Sequence, residues 1–323
     1  MLIFEKPRLK AVKYLFSFVL FFICTEAYTQ LTYETVWVDY DSVFQYKNLK
    51  IIPIRPKTAP GNAGQGMVPH PGVLSLSQAM KQGLATITER GTASTENVHW
   101  LRINNHSDKS LFVSSGELIS GGRQDRMVFR DTILAPSSKD QYISVMCVEE
   151  LRWSDKEKKF AYGNFANPFL RKVLDESKNQ VLIWKEIGSQ LGQGEIKNKT
   201  LSYMARNNNK KMLMINDDYF RYFQQKFRNA DSTILGFVAI SGNRVIGCDI
   251  FAWTDLFYSQ LEPLLRGYID GAVYFGAPVN MPDKPVKEYM DNILTNERIQ
   301  EEFVNKNGKV FRQDGRVIHI NTF

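Results

Sequence analysis

The segment 116-GELISGGRQDR-126 places two carboxylates, an amide, two guanidinium groups and a pair of adjacent glycines inside eleven residues. Such a set can hold an anion. Gly121 and Gly122 permit positive φ and the close approach of another backbone. Successive N–H groups at a glycine bend form a cradle for negative charge. Arg123 and Arg126 supply planar forks that match phosphate or carboxylate. A second segment, 145-VMCVEELRW-153, adds Glu149, Arg152 and Trp153, and an adjacent Arg–Trp pair is a platform for a ligand.

Two readings fit these residues. In one, the segments 117–126 and 147–153 form a pocket for a small anionic ligand. Gly121, Gly122, Gln124, Arg126, Arg152 and Trp153 bind it, and Glu117, Asp125 or Glu149 act as acid or base. In the other, a Gly-Gly bulge is laced by ion pairs across strands. Glu117, Asp125, Asp131, Glu149 and Glu150 stand against Arg123, Arg126, Arg130 and Arg152, which tilts the balance toward mutual pairing.

Several other chemistries are excluded. There is no GxSxG elbow and no SxxK with its companions. There is no GxxxxGK[ST] loop, so no P-loop nucleotide site. Four scattered histidines (His70, His99, His106, His319) and the absence of CxxC or HExxH leave no metal-ligand spacing, and no cofactor is expected. Cys147 lies beside Glu149 and Glu150, whose charges oppose thiolate formation. Cys147 and Cys248 sit in apolar runs, as buried free cysteines or as a disulfide.

The elements that must position these residues follow from periodicity. Strand-like runs occur at 33–40 and 49–56, and a glycine- and proline-rich loop at 59–72. A short helix over 75–84 has Ser75 or Ser77 as cap and Gly83 as stop. Strands then recur from 85 to 150, with the run 125–134 as one of them. The apolar spacing turns helical over 165–187 and 212–228. Two strands, 233–240 and 244–251, meet at a Ser-Gly-Asn turn. An amphipathic helix over 254–275 contains Pro263, with Thr254 as its cap. The tail holds a helix near 286–304 and a hairpin turning at Asp314-Gly315. This order reads as α+β: an antiparallel β-rich N-terminal half, sheet or sandwich, packed with helices from the C-terminal half. The domain is expected over 28–280, with a β block at 33–150, a helical block at 165–230, and a hairpin and helix at 233–275. Residues 281–323 read as an extension.

Residues 1–27 read as a signal peptide. Lys6, Arg8, Lys10 and Lys13 precede the apolar run 14-YLFSFVLFFIC-24, and small residues near Ala27 suit cleavage. The run is too short to span a bilayer, which needs about 20 apolar residues. The mature chain is expected to be exported, periplasmic or secreted, without a transmembrane span. A lipoprotein through Cys24 ranks second, because 21-FFI-23 lacks the small residue such a site favours. Cleavage removes four basic and two acidic residues and lowers the net charge from +7 to +5. No basic tract is present, so no nucleic-acid partner is expected.

The order 77-SQAMKQGLATITE-89, 101-LRINNHSDKSLFVSSGELISGGRQDR-126, 145-VMCVEELRW-153 and 235-LGFVAISGNRVIGCDIF-251 resembles the bacterial family named for association with ADP-ribosylglycohydrolase and rhodanese-phosphatase superfamily proteins. The resemblance covers most of residues 70–275. It implies a domain without an established activity, with no catalytic residues to carry over. Two functions are therefore expected from different classes. One is a binding or structural domain; the other is a hydrolase of a nucleotide-derived or glycosidic substrate using the named carboxylates.

Overall fold

The computed structural model describes residues 30–57, 72–91, 97–154, 159–230 and 232–323. Residues 1–27, read as a signal peptide, with Cys24 among them, most of the glycine- and proline-rich loop and His70 lie outside them. Sixteen strands and eight helices are present among the described residues, and the fold is α+β. No helix among them is long and apolar enough to cross a membrane.

Alternating side chains build the larger sheet. Its strands run in the order Val36–Val38, Leu49–Pro56, Gly236–Ser241, Arg244–Phe251, Arg316–Thr322, Gly308–Gln313, all antiparallel, and Phe44–Tyr46 also pairs with Leu49–Pro56. Strand alternation sends Ile51, Phe237, Ala239 and Phe251 to one face. There they meet the helices Lys210–Asn229 and Thr254–Phe275. Ile52, Ile54, Val238, Cys248 and Ile250 go to the other face, against the helices Asp283–Leu294 and Glu297–Asn307. A sheet covered on both faces reads as long apolar runs, as 233-TILGFVAI-240 does.

The second body is built on a six-stranded sheet. Its order is Phe160–Phe165, Glu117–Gly121, Arg126–Val128, Gln141–Cys147, Trp100–Asn105, Ala85–Thr88. A three-stranded sheet, Thr132–Leu134, Leu111–Val113, Leu74–Ser75, packs with it. Leu101, Ile103, Ile119, Val128, Ile143 and Val145 fill the space between them. Leu118, Met127 and Val148 face the opposite way, against helices Pro168–Ser177 and Gln180–Gln193.

Several local expectations differ from this arrangement. The run 125–134 is two strands in different sheets, broken at 129–131. Glu117–Gly121 and Phe160–Phe165 are additional strands. The helical stretches 165–187 and 286–304 each divide into two helices. Ser75 caps its helix in a reciprocal box with Gln78. By contrast Trp253, not Thr254, stands at the cap of the long helix, with no side-chain cap bond. The strands at 36–56 do not join the other N-terminal strands. Val36–Val38 and Phe44–Tyr46 pair with Leu49–Pro56, which pairs in turn with Gly236–Ser241, and the C-terminal hairpin, read as an extension, completes that same sheet. Cys147 and Cys248 are both free and buried.

A buried polar network fills the seam between the two bodies. Asp249 and His319 come from the large sheet, and Arg171 from helix Pro168–Ser177. Arg171 Nη1 and Nη2 donate to Asp249 Oδ2 and Oδ1 at 3.0 and 2.6 Å. The Tyr268 hydroxyl donates to Asp249 Oδ2 at 2.5 Å. His319 Nε2 lies 3.0 Å from Asp249 Oδ1, and its Nδ1 lies 2.6 Å from Asp131 Oδ2. The Ser115 N–H then closes on Asp131 Oδ1 at 2.6 Å. Burial alone would favour the neutral forms. Arg171 and His319 nevertheless hold Asp249 well below the usual carboxylate range, and Asp131 and Asp249 raise His319 to about 9 against the desolvation that lowers it.

Breaking a buried, paired charge costs about 3–5 kcal/mol, because its partner is left uncompensated. Asp249→Asn is expected to lower unfolding stability by roughly that amount in urea denaturation. A loss below about 1 kcal/mol, the size of an exposed ion pair, would show that the seam is solvated.

Candidate functional site

The Gly-Gly bend links the strands Glu117–Gly121 and Arg126–Val128. Gly121 has φ +114 and Gly122 φ +51, both left-handed. A Cβ on Gly121 would lie 2.4 Å from the Lys159 carbonyl oxygen, and one on Gly122 2.1 Å from the Phe160 ring. The bend therefore needs glycine both for its torsion and for its contact with the neighbouring strand.

Arg152 braces this bend from inside. Its Nη1 donates to the Gly122 carbonyl at 2.9 Å, and its Nη2 to the Gly121 carbonyl at 3.1 Å and to Asp125 Oδ1 at 3.1 Å. Its Nε donates to Glu149 Oε2 at 2.7 Å. Asp125 Oδ1 also accepts the Gly121 N–H at 2.9 Å, and Oδ2 accepts the Ser202 hydroxyl at 2.7 Å. Gln124 Nε2 donates to the Glu149 carbonyl at 3.0 Å, and the Asp125 N–H to Glu149 Oε2 at 3.1 Å. The two distinctive sequence segments are thus one hydrogen-bonded unit.

A third segment, which the sequence reading did not connect to them, completes the site. Glu149 and Ser202 form an antiparallel backbone bridge. The Leu151 N–H donates to the Thr200 carbonyl at 3.0 Å, and the Tyr203 N–H to the Val148 carbonyl at 2.9 Å. The short helix Met204–Asn207 follows. It is anchored by Arg206, which forks Asp270 at 3.2 and 2.8 Å, and by the Tyr203 hydroxyl on the same carboxylate at 3.1 Å. Between the bend and this segment lies a cleft of about 440 Å³. Asp125, Glu149, Arg152 and Lys197 line it together with the amides and hydroxyls of Asn198, Thr200, Ser202, Asn208 and Asn209.

The candidates divide between this cleft and other places. Asp125, Glu149 and Arg152 meet there. Gly121, Gly122 and Gln124 form the bend behind it. Arg126 is fully buried, in register with Cys147 and Ile119, so alternation turns it toward the Val128 and Val145 face of the sheet. Its Nη1 makes only long bonds, 3.3 Å to Gln124 Oε1 and 3.4 Å to the Asp125 carbonyl, while Nε and Nη2 have no hydrogen-bond partner. Trp153 is 40% exposed and takes Arg123, not Arg152, as its cation, at 5.9 Å. Glu117 is sealed near the seam, accepting the Ser114 N–H at 2.7 Å and the Tyr162 hydroxyl at 3.0 Å.

The carboxylates also differ in protonation. Burial pushes Glu117 up to about 8, more than its two donors can offset. Burial raises Glu149 too, but bonds from Arg152, Thr200 and the Asp125 N–H outweigh it and leave Glu149 below its usual 4.5. Burial raises the Cys147 thiol, with Arg126 opposing weakly, so Cys147 is not an activated nucleophile. Among the described residues, no group of three His, Cys, Asp or Glu side chains could hold a metal ion.

The architecture and cleft define an α+β protein with a pre-organised, charge-balanced polar site. The chain belongs to the ARG and Rhodanese-Phosphatase-superfamily-associated Protein domain family, whose sequence profile it matches over residues 37–323. No curated protein and no solved structure matches it.

Glu117 gives a pH signature. Its folded value near 8 exceeds the 4.5 of an exposed glutamate. Its contribution is therefore complete below about pH 4.5 and is lost as pH rises through about 8. Glu117→Gln, which cannot ionise, is expected to flatten the fall of melting temperature between pH 5 and pH 8.5. Parallel profiles for wild type and the Glu117→Gln variant would mean that Glu117 ionises freely in the folded state.

Proposed function

We propose that the protein is a binding domain whose cleft takes a small, hydroxyl-bearing polar ligand through hydrogen bonds. The observation that carries this reading is the double neutralisation of Arg152 by Asp125 and Glu149. Arg152 has no fork left for an oxyanion, and the cleft sets two carboxylates against two cations. The Asn198 and Asn209 amide oxygens and the Thr200 and Ser202 hydroxyls bond within the protein and hold the lining in place, while the Asn208 side chain and the amide nitrogens of Asn198 and Asn209 add groups that can hydrogen-bond a ligand. Such a lining suits a ligand rich in hydroxyl groups and poor in net charge.

The hydrolase alternative has less support. A general acid must carry a proton at neutral pH and reach the cleft. Glu149 reaches the cleft but is held ionised. Glu117 carries the proton but does not line the cleft.

A thermal-shift screen of the mature chain against neutral sugars, polyols, nucleosides and small carboxylates tests the reading. A ligand at about 100 times its Kd stabilises by roughly 2.7 kcal/mol. A hydroxyl-rich compound is expected to give such a shift, and Thr200→Ala is expected to reduce it. A shift that is unchanged in Thr200→Ala, or that appears only with anions, would overturn it.

We also propose export of the mature chain, on the basic start and short apolar run of residues 1–27. Cell fractionation and terminal mass measurement should find a chain beginning after Ala27 outside the cytoplasm. A chain keeping residues 1–27 in the cytoplasm would refute export.

A further inference from the structure

The six-stranded sheet ends on Ala85–Thr88 at one side and on Phe160–Phe165 at the other, and each of these strands pairs with a single neighbour. Both line one depression of about 520 Å³, where Met80 and Lys81 from the end of helix Leu76–Lys81 meet them. It shares no lining residue with the cleft of about 440 Å³.

Backbone groups of an antiparallel strand point to its two sides in alternation. The His106 N–H donates to the Leu84 carbonyl at 2.8 Å. Register then directs Thr86 and Thr88 to the paired strand and turns the N–H and C=O groups of Ala85 and Ile87 outward. On the other side, the Gly116 N–H donates to the Val128 carbonyl at 2.9 Å. Val128 and Arg126 therefore face Glu117–Gly121, Ile119 answers Arg126, and Ser120 turns to Ala161. The backbone groups of Phe160 and Tyr162 are left pointing outward. No ladder among the described residues takes up these outward groups. Ala85, Ile87 and Phe160 are buried, and buried backbone donors and acceptors are nearly always paired.

The lining sets a second condition. Ala85, Ile87, Phe160 and Ala161 make it mainly apolar, and Lys81 and Lys159 are its charged groups. Among the described residues, no carboxylate lines it. Edge lysines keep most strands from pairing, and they favour one that brings negative charge. A second copy of this chain does not meet that condition. Its formal net charge is +7, and pairing like edges would set lysines against lysines.

We infer that this depression docks an extended acidic segment of another protein, which adds as a strand along the free edges and pairs its carboxylates with Lys81 and Lys159. In strand addition, backbone bonds supply affinity and side-chain contacts supply the choice of partner. The site is independent of the ligand cleft.

Selection from a phage-displayed random decapeptide library on the immobilised mature chain tests this. Enriched peptides are expected to alternate acidic and apolar residues. Their affinities are then read by fluorescence anisotropy on wild type, the Lys81→Glu/Lys159→Glu double variant and Ala85→Pro, each checked for an unchanged circular dichroism spectrum. Charge reversal is expected to weaken binding about tenfold or more, because like charges then meet. Ala85→Pro removes one outward N–H and no ladder bond, and is expected to weaken binding about tenfold. N-methylating the peptide's backbone amides reads the same bonds from the other partner and is expected to abolish binding, whatever Ala85→Pro does to the fold. Selection that enriches no acidic peptide, or acidic peptides that bind the double variant as tightly as wild type, would overturn the inference. Binding that N-methylation leaves unchanged would overturn it as well.

Discussion

Asp249 is fully buried on a central strand of the large sheet, and its charge requires two cations. Arg171 reaches it from a helix packed on the second body, and His319 reaches it from the neighbouring strand. His319 then passes the contact to Asp131, in the loop between the two smaller sheets. Beside it, Lys309 pairs with Asp175 and donates to the Phe129 carbonyl. An apolar seam would hold the two bodies in many registers. Charges that must meet within hydrogen-bond distance restrict it to few. The orientation of helix Pro168–Ser177, and so of the segment that reaches the cleft floor, depends on this seam. Asn167 at its cap donates to Gln190 and Asp270 at 2.7 Å each, and Asp270 holds Arg206.

The same principle recurs at the surface with a different outcome. Arg152, like Arg171, spends its fork on protein acceptors. Its acceptors are backbone carbonyls of a bend as well as carboxylates, and the arrangement lies open to solvent on one side. The ion pairs fix a floor, and hydrogen bonds among Asn198, Thr200 and Ser202 hold the neutral polar groups beside it. The segments 117–126 and 147–153, both inside the family match over residues 37–323, complete each other's hydrogen bonds.

Local chemistry was legible in the sequence. The α+β class, the Ser75 cap, the turns at 241–243 and 314–315 and the left-handed glycines at 121 and 122 each follow from a few adjacent residues. The 117–126 and 147–153 segments were legible as one neighbourhood, because strands that carry complementary charges tend to pair. What failed was non-local. Nothing in 49-LKIIPIRP-56 specifies Gly236–Ser241 as its partner, and nothing near Arg171, Asp249 or His319 marks them as a triad. Arg126 and Arg152 are alike in sequence, yet one lies in the sheet interior and the other in the bend, since side-chain alternation decides and the strand break at 122–125 was needed to set its phase. Glu117 and Glu149 are likewise the same residue type in opposite protonation states. The 198–209 segment carried only polarity as a signal, which a surface loop shares.

Those two glutamates offer the most direct measurement. Carbon-13 labelling of glutamate carboxyls, with Glu117→Gln and Glu149→Gln for assignment, would follow both titrations by NMR. The Arg152 brace requires Glu149 to titrate below 4.5, and burial requires Glu117 to titrate near 8. A Glu149 midpoint near neutrality would mean that Arg152 does not hold it ionised. The cleft would then contain a competent acid, and the binding-domain reading would give way to a hydrolase.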